Sequence, residues 1–147
     1  MKQIRANIIN LAKSGEYDYL VHGCNCQCRM RSGLAKQIVE HFPRSEIADS
    51  KTKKGDRSKL GKISLIRYPE VTIVNAYTQF YYGTDFRKLD YEALYCCLEK
   101  INDLIKPDEK ILVPQIGCGL AGGNWKIVRV MIEETLKDKN VTIVSLS

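Results

Sequence analysis

The chain is expected to adopt an α/β fold: three α/β/α layers around a mixed, mostly parallel central sheet of about six strands. Three observations lead there. Apolar stretches of strand length recur near residues 3–9, 18–24, 62–67, 71–77, 110–114 and 141–146. Segments with helical apolar spacing fall between them. The third and fourth stretches are joined only by Tyr68-Pro69-Glu70, too short for a crossover, so that pair must be antiparallel and the sheet mixed.

The elements follow in order. Met1-Lys2-Gln3-Ile4-Arg5-Ala6-Asn7 carries charge and amide where a signal peptide needs an apolar stretch, so it reads as the first strand, extending to residue 9. Ser32 to Phe42 sets Leu34, Ala35, Ile38, Val39 and Phe42 at helical spacing, and Pro43 stops it. A further helix is expected from Ser45, with Ile47 and Ala48 as its apolar contacts. Asp90 is placed to cap a helix from Tyr91 to Ile105, striped by Leu94, Cys97, Leu98, Ile101 and Ile105. Pro107-Asp108 turns the chain into the fifth strand. Asn124 caps a last helix whose apolar residues are Ile127, Val128, Val130, Met131, Ile132 and Leu136.

With 147 residues the chain is expected to be one domain, residues 1–147, large enough to bury a core without metals or disulfides. No apolar run approaches the ~18 residues that would span a bilayer. A cytoplasmic monomer without a membrane partner or cofactor is the expectation. Cys96 and Cys97 are adjacent, and Cys24, Cys26 and Cys28 crowd one segment, which suits free thiols in a reducing compartment. The C-x-C-x-C run lacks the spacing and the second ligand pair of a zinc site, so no metal is expected. The net charge of +6 is partly concentrated in Lys51-Thr52-Lys53-Lys54-Gly55-Asp56-Arg57-Ser58-Lys59, which reads either as a solvated loop or as a nucleic-acid surface. Few aromatic residues interleave with that run, so sequence alone supports no base-stacking surface there.

Two glycine-bearing loops carry the chemistry. The first runs from Leu20-Val21-His22-Gly23-Cys24-Asn25 through Arg31-Ser32-Gly33-Leu34-Ala35, and the second is Pro114-Gln115-Ile116-Gly117-Cys118-Gly119-Leu120-Ala121-Gly122-Gly123-Asn124-Trp125. Each follows a strand and enters a helix, where backbone N–H groups converge and the helix dipole favours an anion. Two such loops at the carboxyl ends of strands in one domain predict a ligand with two adjacent phosphates.

These residues resemble a macro domain, the ADP-ribose-binding fold. His22-Gly23-Cys24-Asn25-Cys26 with Ser32-Gly33-Leu34-Ala35 is similar to the ADP-ribose-1″-phosphate phosphatases of that family. Cys28-Arg29-Met30 is closer to the terminal ADP-ribose protein–glutamate hydrolases. Val113-Pro114-Gln115-Ile116, Gly117-Cys118-Gly119-Leu120 and Trp125 match the second phosphate loop. The resemblance implies that Asn7 and Ile8 meet the adenine, where relatives have Asp in place of Asn7. It implies that Ser32, Gly33 and Leu34, with Ile116, Gly117, Cys118, Gly119, Leu120 and Ala121, hold the diphosphate, and that Asn25 meets the distal ribose. The lysine and aspartate of the glutamate hydrolases fall at Gln79 and Ala121, and neither an amide nor a methyl can do their chemistry.

The expected function is therefore binding of ADP-ribose, with hydrolysis of the phosphate of ADP-ribose-1″-phosphate. The alternative is a catalytically silent reader or sponge. Partners beyond that ligand would be an ADP-ribosylated protein or nucleic acid. His22 and Asn25 are the catalytic candidates. His22 reads either as a packed, hydrogen-bonded residue or as an imidazole acting on water or the leaving phosphate. Asn25 reads either as a ribose contact or as a residue that satisfies its own loop. Arg31 either covers the ligand or is merely exposed. One of Tyr77, Phe80, Tyr81 and Tyr82 is expected to close over the distal ribose, and Gly122-Gly123 to make the second loop permissive.

Overall fold

The computed structural model describes residues 1–145. Six strands form one sheet in the order β1-β6-β5-β2-β4-β3. They are β1 (Lys2–Arg5), β2 (Tyr19–Cys24), β3 (Ile63–Arg67), β4 (Thr72–Tyr77), β5 (Lys110–Pro114) and β6 (Asn140–Ser145). All pairings are parallel except β3 with β4, as the short Tyr68-Pro69-Glu70 link requires. The helices are α1 (Ile8–Lys13), α2 (Gly33–His41), α3 (Arg44–Ser50), α4 (Tyr91–Leu104) and α5 (Trp125–Thr135). The last residue of the strand expected over 141–146 lies outside the described residues. Among the described residues, no helix is long and apolar enough to cross a membrane.

Strand alternation sorts the core into two halves. On one face, Val21, Val74, Val113 and Ile143 pack under Leu94, Leu98 and Ile101 of α4 and Val128 and Ile132 of α5. On the other, Leu20, Ile73 and Leu112 meet Ile9 and Ala12 of α1 and Ile38 of α2. The sheet is thus covered on both faces, which a largely parallel sheet needs. The caps behave as their residue types dictate: Asp90 accepts from the amide of Ala93 at 3.0 Å, and Asn124 from that of Lys126 at 2.9 Å.

Two expectations are corrected. The first strand ends at Arg5, not at residue 9. Asn7 is extended and caps α1, its Oδ1 accepting from the Asn10 amide at 3.0 Å. The apolar pair Ile8-Ile9 begins a helix that strand patterning concealed, because a helix of six residues is too short to display its period. The second correction concerns α3. Ile47 points to solvent, whereas Ser45 and Asp49, one turn apart, are buried. In α5, Ile127 and Val130 are exposed, and Val128 and Ile132 carry the packing.

The inward turn of α3 has a reason in the sheet. His22 and Asn75 are register partners on β2 and β4, and their side chains share one face. A polar layer forms between them and α3. Asn75 donates through Nδ2 to the Ser45 carbonyl at 3.1 Å and to Ser64 Oγ at 3.2 Å. Tyr77 donates its hydroxyl to Asp49 at 2.8 Å, and buried Lys59 donates to the Cys26 carbonyl at 3.1 Å. Buried polar groups must be satisfied, so α3 presents Ser45 and Asp49 to this layer and leaves Ile47 outside.

Candidate functional site

Sheet order creates the site. Adjacent strands β2 and β5 pair in parallel, yet β2 leads to α2 on one face and β5 to α5 on the other. A crevice opens where the two connections diverge, beyond the carboxyl ends of the strands. It is a cleft of about 1100 Å³. The strand order also orders its lining. Ala6, Asn7, Ile8 and Val144, following β1 and ending β6, form one end. The two glycine loops form the middle, and Gln79, Tyr82 and Thr84, beyond β4, form the other end.

In the first loop, Ser32 is the N-cap of α2 and its hydroxyl makes no cap bond. Gly33 has φ +59, a left-handed value that glycine adopts without cost, and Gly33, Leu34 and Ala35 of the first turn of α2, whose amides a helix leaves without an internal partner, line the cleft. In the second loop, the amides of Gly119, Leu120 and Ala121 make no backbone hydrogen bond among the described residues. Both loops therefore offer N–H donors to one cavity, the arrangement that receives an anion. Arg31 is exposed at the rim, and Leu34, Ile116, Gly117 and Cys118 complete the lining of these loops.

The second loop is pinned rather than permissive. The Gly123 amide donates to the Gly117 carbonyl at 2.7 Å, and the amides of Lys88 and Leu89 both donate to the Ala121 carbonyl. A Cβ on Gly123 would stand 2.4 Å from Leu89 Cδ2 and 2.6 Å from the Gly117 oxygen. Gly123 is there for close approach. Gly123→Ala is expected to destabilise the protein by about 2 kcal/mol through overpacking, read as a lower denaturant midpoint at unchanged slope.

The two catalytic candidates are both engaged. Asn25 accepts from the Gln27 amide at 2.9 Å and donates to the Arg29 carbonyl at 2.9 Å, folding the first loop on itself. Its amide still borders the cleft. His22 is 1% exposed, with Nε2 2.6 Å from Asn75 Oδ1. The Asn75 amide nitrogen already donates twice, so its oxygen must face the ring and His22 holds its proton on Nε2. Burial holds the imidazole down at about 4, against the hydrogen bond to Asn75, which raises it. At neutral pH it is an uncharged, hydrogen-bonded ring.

The aromatic residues after β4 divide. Tyr77 is core, Phe80 lies under the Arg57 guanidinium, Tyr81 is exposed, and Tyr82 borders the cleft. Gln79 and Ala121 also line it, and Gln79 donates to the Tyr81 carbonyl at 2.8 Å. Sequence reading missed Thr84 and Val144, which carry no motif and reach the cleft only through the fold.

The macro domain model matches residues 21–132, which contain both loops. The chain belongs to the macro domain family. This macro domain is 35% identical to the uncharacterized 17.5 kDa protein of the tk-vs intergenic region of Enterobacteria phage T4, over 98% of this chain and 95% of that one. It is 27% identical to the human ADP-ribose glycohydrolase OARD1, over 86% and 79% of the two chains. Among solved structures, a protein of unknown function from Bacteroides thetaiotaomicron superposes with a TM-score of 0.83 at 22% identity, covering 98% of this chain and 96% of that one. Thermosipho africanus DarTG, solved in complex with ADP-ribose, superposes at 0.72 and 18% identity over 88% of this chain and 38% of its own.

Proposed function

We propose that this macro domain binds ADP-ribose, its diphosphate lying between the two loops, and hydrolyses the phosphate of ADP-ribose-1″-phosphate. One observation carries the reading: Gly119, Leu120 and Ala121, whose amides make no backbone hydrogen bond, line the same cleft as the first turn of α2. Asn7 and Ile8 then receive the adenine. Asn7 Oδ1 keeps one lone pair for the adenine amino group while capping α1 with the other. The distal ribose lies toward Asn25, Gln79 and Tyr82, a reading supported by their position at the end of the cleft opposite Asn7 and Ile8. The relatives named for ADP-ribose chemistry support the same ligand.

Hydrolysis at the 1″ position needs no protein nucleophile. Water attacks, the bond to the phosphate oxygen breaks, and the water's proton passes to the departing phosphate. ADP-ribose and inorganic phosphate result. The protein's part is to position water and to stabilise developing charge with loop amides. The deciding experiment measures phosphate release from ADP-ribose-1″-phosphate beside calorimetric titration with ADP-ribose. Absence of binding rejects the whole reading.

One observation favours a second reading, a silent reader. His22, the strongest acid–base candidate, borders the cleft yet is 1% exposed, uncharged at neutral pH and hydrogen-bonded to Asn75. Binding without phosphate release would establish it. Under either reading, release of ADP-ribose from a glutamate ester should stay near the uncatalysed rate, because Gln79 cannot form a Schiff base and Ala121 cannot transfer a proton. Fast release with a trapped covalent adduct would contradict this.

A further inference from the structure

Among the described residues, no aspartate or glutamate lines the cleft. This matters most at the end formed by Ala6, Asn7, Ile8 and Val144, where the side chains are apolar apart from the Asn7 amide and the neighbouring Ser145 hydroxyl. Apolar walls suit the faces of a planar base. The opposite end is cationic, with the Arg29 guanidinium 4.6 Å from the Tyr82 ring centroid. Which base the apolar end takes is then decided by hydrogen bonds to its edge.

Ser145 donates its hydroxyl to the Ile4 carbonyl at 3.3 Å, so it has no proton to offer a ligand. Asn7 is committed on one side only. Its Oδ1 accepts from the Asn10 amide at 3.0 Å, which fixes the end of the side chain that is oxygen. Its Nδ2 makes no hydrogen bond among the described residues, and the residue is exposed. Asn7 therefore has a free donor beside an acceptor with a spare lone pair.

The two kinds of purine edge are mirror images in hydrogen bonding. Adenine offers an amino donor at position 6 and an acceptor at N1. Hypoxanthine and guanine offer a carbonyl acceptor at position 6 and a donor at N1. A carboxylate serves only the amino edge, because it has no hydrogen to give. A carboxamide serves both, its oxygen accepting from the amino group or its nitrogen donating to the carbonyl as the base slides along the amide. With no acceptor-only side chain in the lining, nothing there repels a carbonyl oxygen. We propose that the cleft accepts 6-oxopurine as well as adenine nucleotides, with Asn7 as the residue that sets this breadth. The inference rests on the reading that this cleft takes ADP-ribose with its base at Asn7.

Calorimetry on the full chain compares ADP-ribose with inosine diphosphate ribose, which carries hypoxanthine in place of adenine. The native chain should bind the two within about 3-fold, because one hydrogen bond replaces another. Asn7→Asp keeps the helix cap, since Asp caps as well as Asn, so its melting temperature should stay near native. The added charge weakens both diphosphates alike and cancels in their ratio. The ratio itself should move. The inosine ligand should lose about 10-fold or more relative to ADP-ribose, as its carbonyl meets a group that cannot donate.

A native chain that binds ADP-ribose at least 10-fold more tightly than the inosine ligand would overturn the inference and leave the reading of the cleft intact. An affinity ratio unchanged by Asn7→Asp would overturn it too, since Asn7 would then not read the base. Binding of neither ligand would reject the function assigned to the cleft and the inference with it. Binding of the inosine ligand alone, lost in Asn7→Asp, would support the donor role of Asn7 and reject ADP-ribose as the ligand.

Discussion

Gly119→Glu is expected to weaken ADP-ribose binding by roughly 100-fold or more while the melting temperature stays close to that of the native chain. Nothing lies within 4 Å of a Cβ built on Gly119, and the residue is exposed, so the fold tolerates the side chain. The cleft does not. A carboxylate there stands among the amides that would receive the diphosphate, and it repels the phosphates it displaces. Gly119→Ala is the control, since a methyl group in open space should leave most of the affinity. Gly33→Glu should abolish binding as well, but with a structural cost. Its φ of +59 strains any other residue by about 1–2 kcal/mol, and its Cβ would lie 3.3 Å from Leu120 Cδ1. Both glycines sit in loops of the same kind in sequence, and the backbone separates them. Calorimetry and thermal melting on the same preparations decide it: ADP-ribose bound by Gly119→Glu as tightly as by the native chain would move the diphosphate off the second loop.

The difference between those two glycines illustrates what sequence patterning can and cannot carry. Strand order along the chain, the antiparallel β3–β4 pair and the caps at Asp90 and Asn124 were legible because each depends on local chemistry. The two loops were legible for the same reason: small residues between a strand and a helix have few other uses. What depended on tertiary partners was not. Nothing local distinguishes an outward Ile47 from a buried one. Its exposure follows from Ser45 and Asp49 being required beneath β2 and β4. Gly122-Gly123 looked permissive because flexibility is the default reading of paired glycines, and only the position of Leu89 shows that Gly123 serves close packing.

The same limit applies to charge. The Lys51–Lys59 run lacks interleaved aromatics in sequence, and its partners Phe80, Tyr81 and Tyr82 come from the far end of β4. A surface assembled from two segments has no linear motif. The hydrogen bond from the Gly55 amide to the Cys26 carbonyl holds this run against the first loop.

His22→Ala should lower stability by about 3 kcal/mol at neutral pH and shift the melting temperature by roughly 10 °C, with binding and turnover falling together and modestly. The variant removes a packed ring and leaves Asn75 Oδ1 without its donor inside the polar layer. The pH dependence gives the sharper test. The His22 pKa is about 4 in the folded chain and 6.5 as an ordinary histidine. Between those values the unfolded chain binds the proton that the folded chain refuses, so stability falls as pH falls. His22 thus contributes fully above pH 6.5, and its contribution is lost as pH drops through about 4, a change of about 3 kcal/mol. The stability gap between native chain and variant should narrow over that window. Asp49, whose carboxyl burial pushes up, has the opposite slope, but it is present in both proteins and cancels in the difference. Denaturant midpoints from pH 7 to pH 4 measure the gap directly. A catalytic imidazole makes a different forecast: turnover of ADP-ribose-1″-phosphate falls about 100-fold, while melting temperature and ADP-ribose affinity hold. That outcome, with a gap that stays constant from pH 7 to pH 4, would return the proton chemistry to His22 and displace the account in which water and the loop amides suffice.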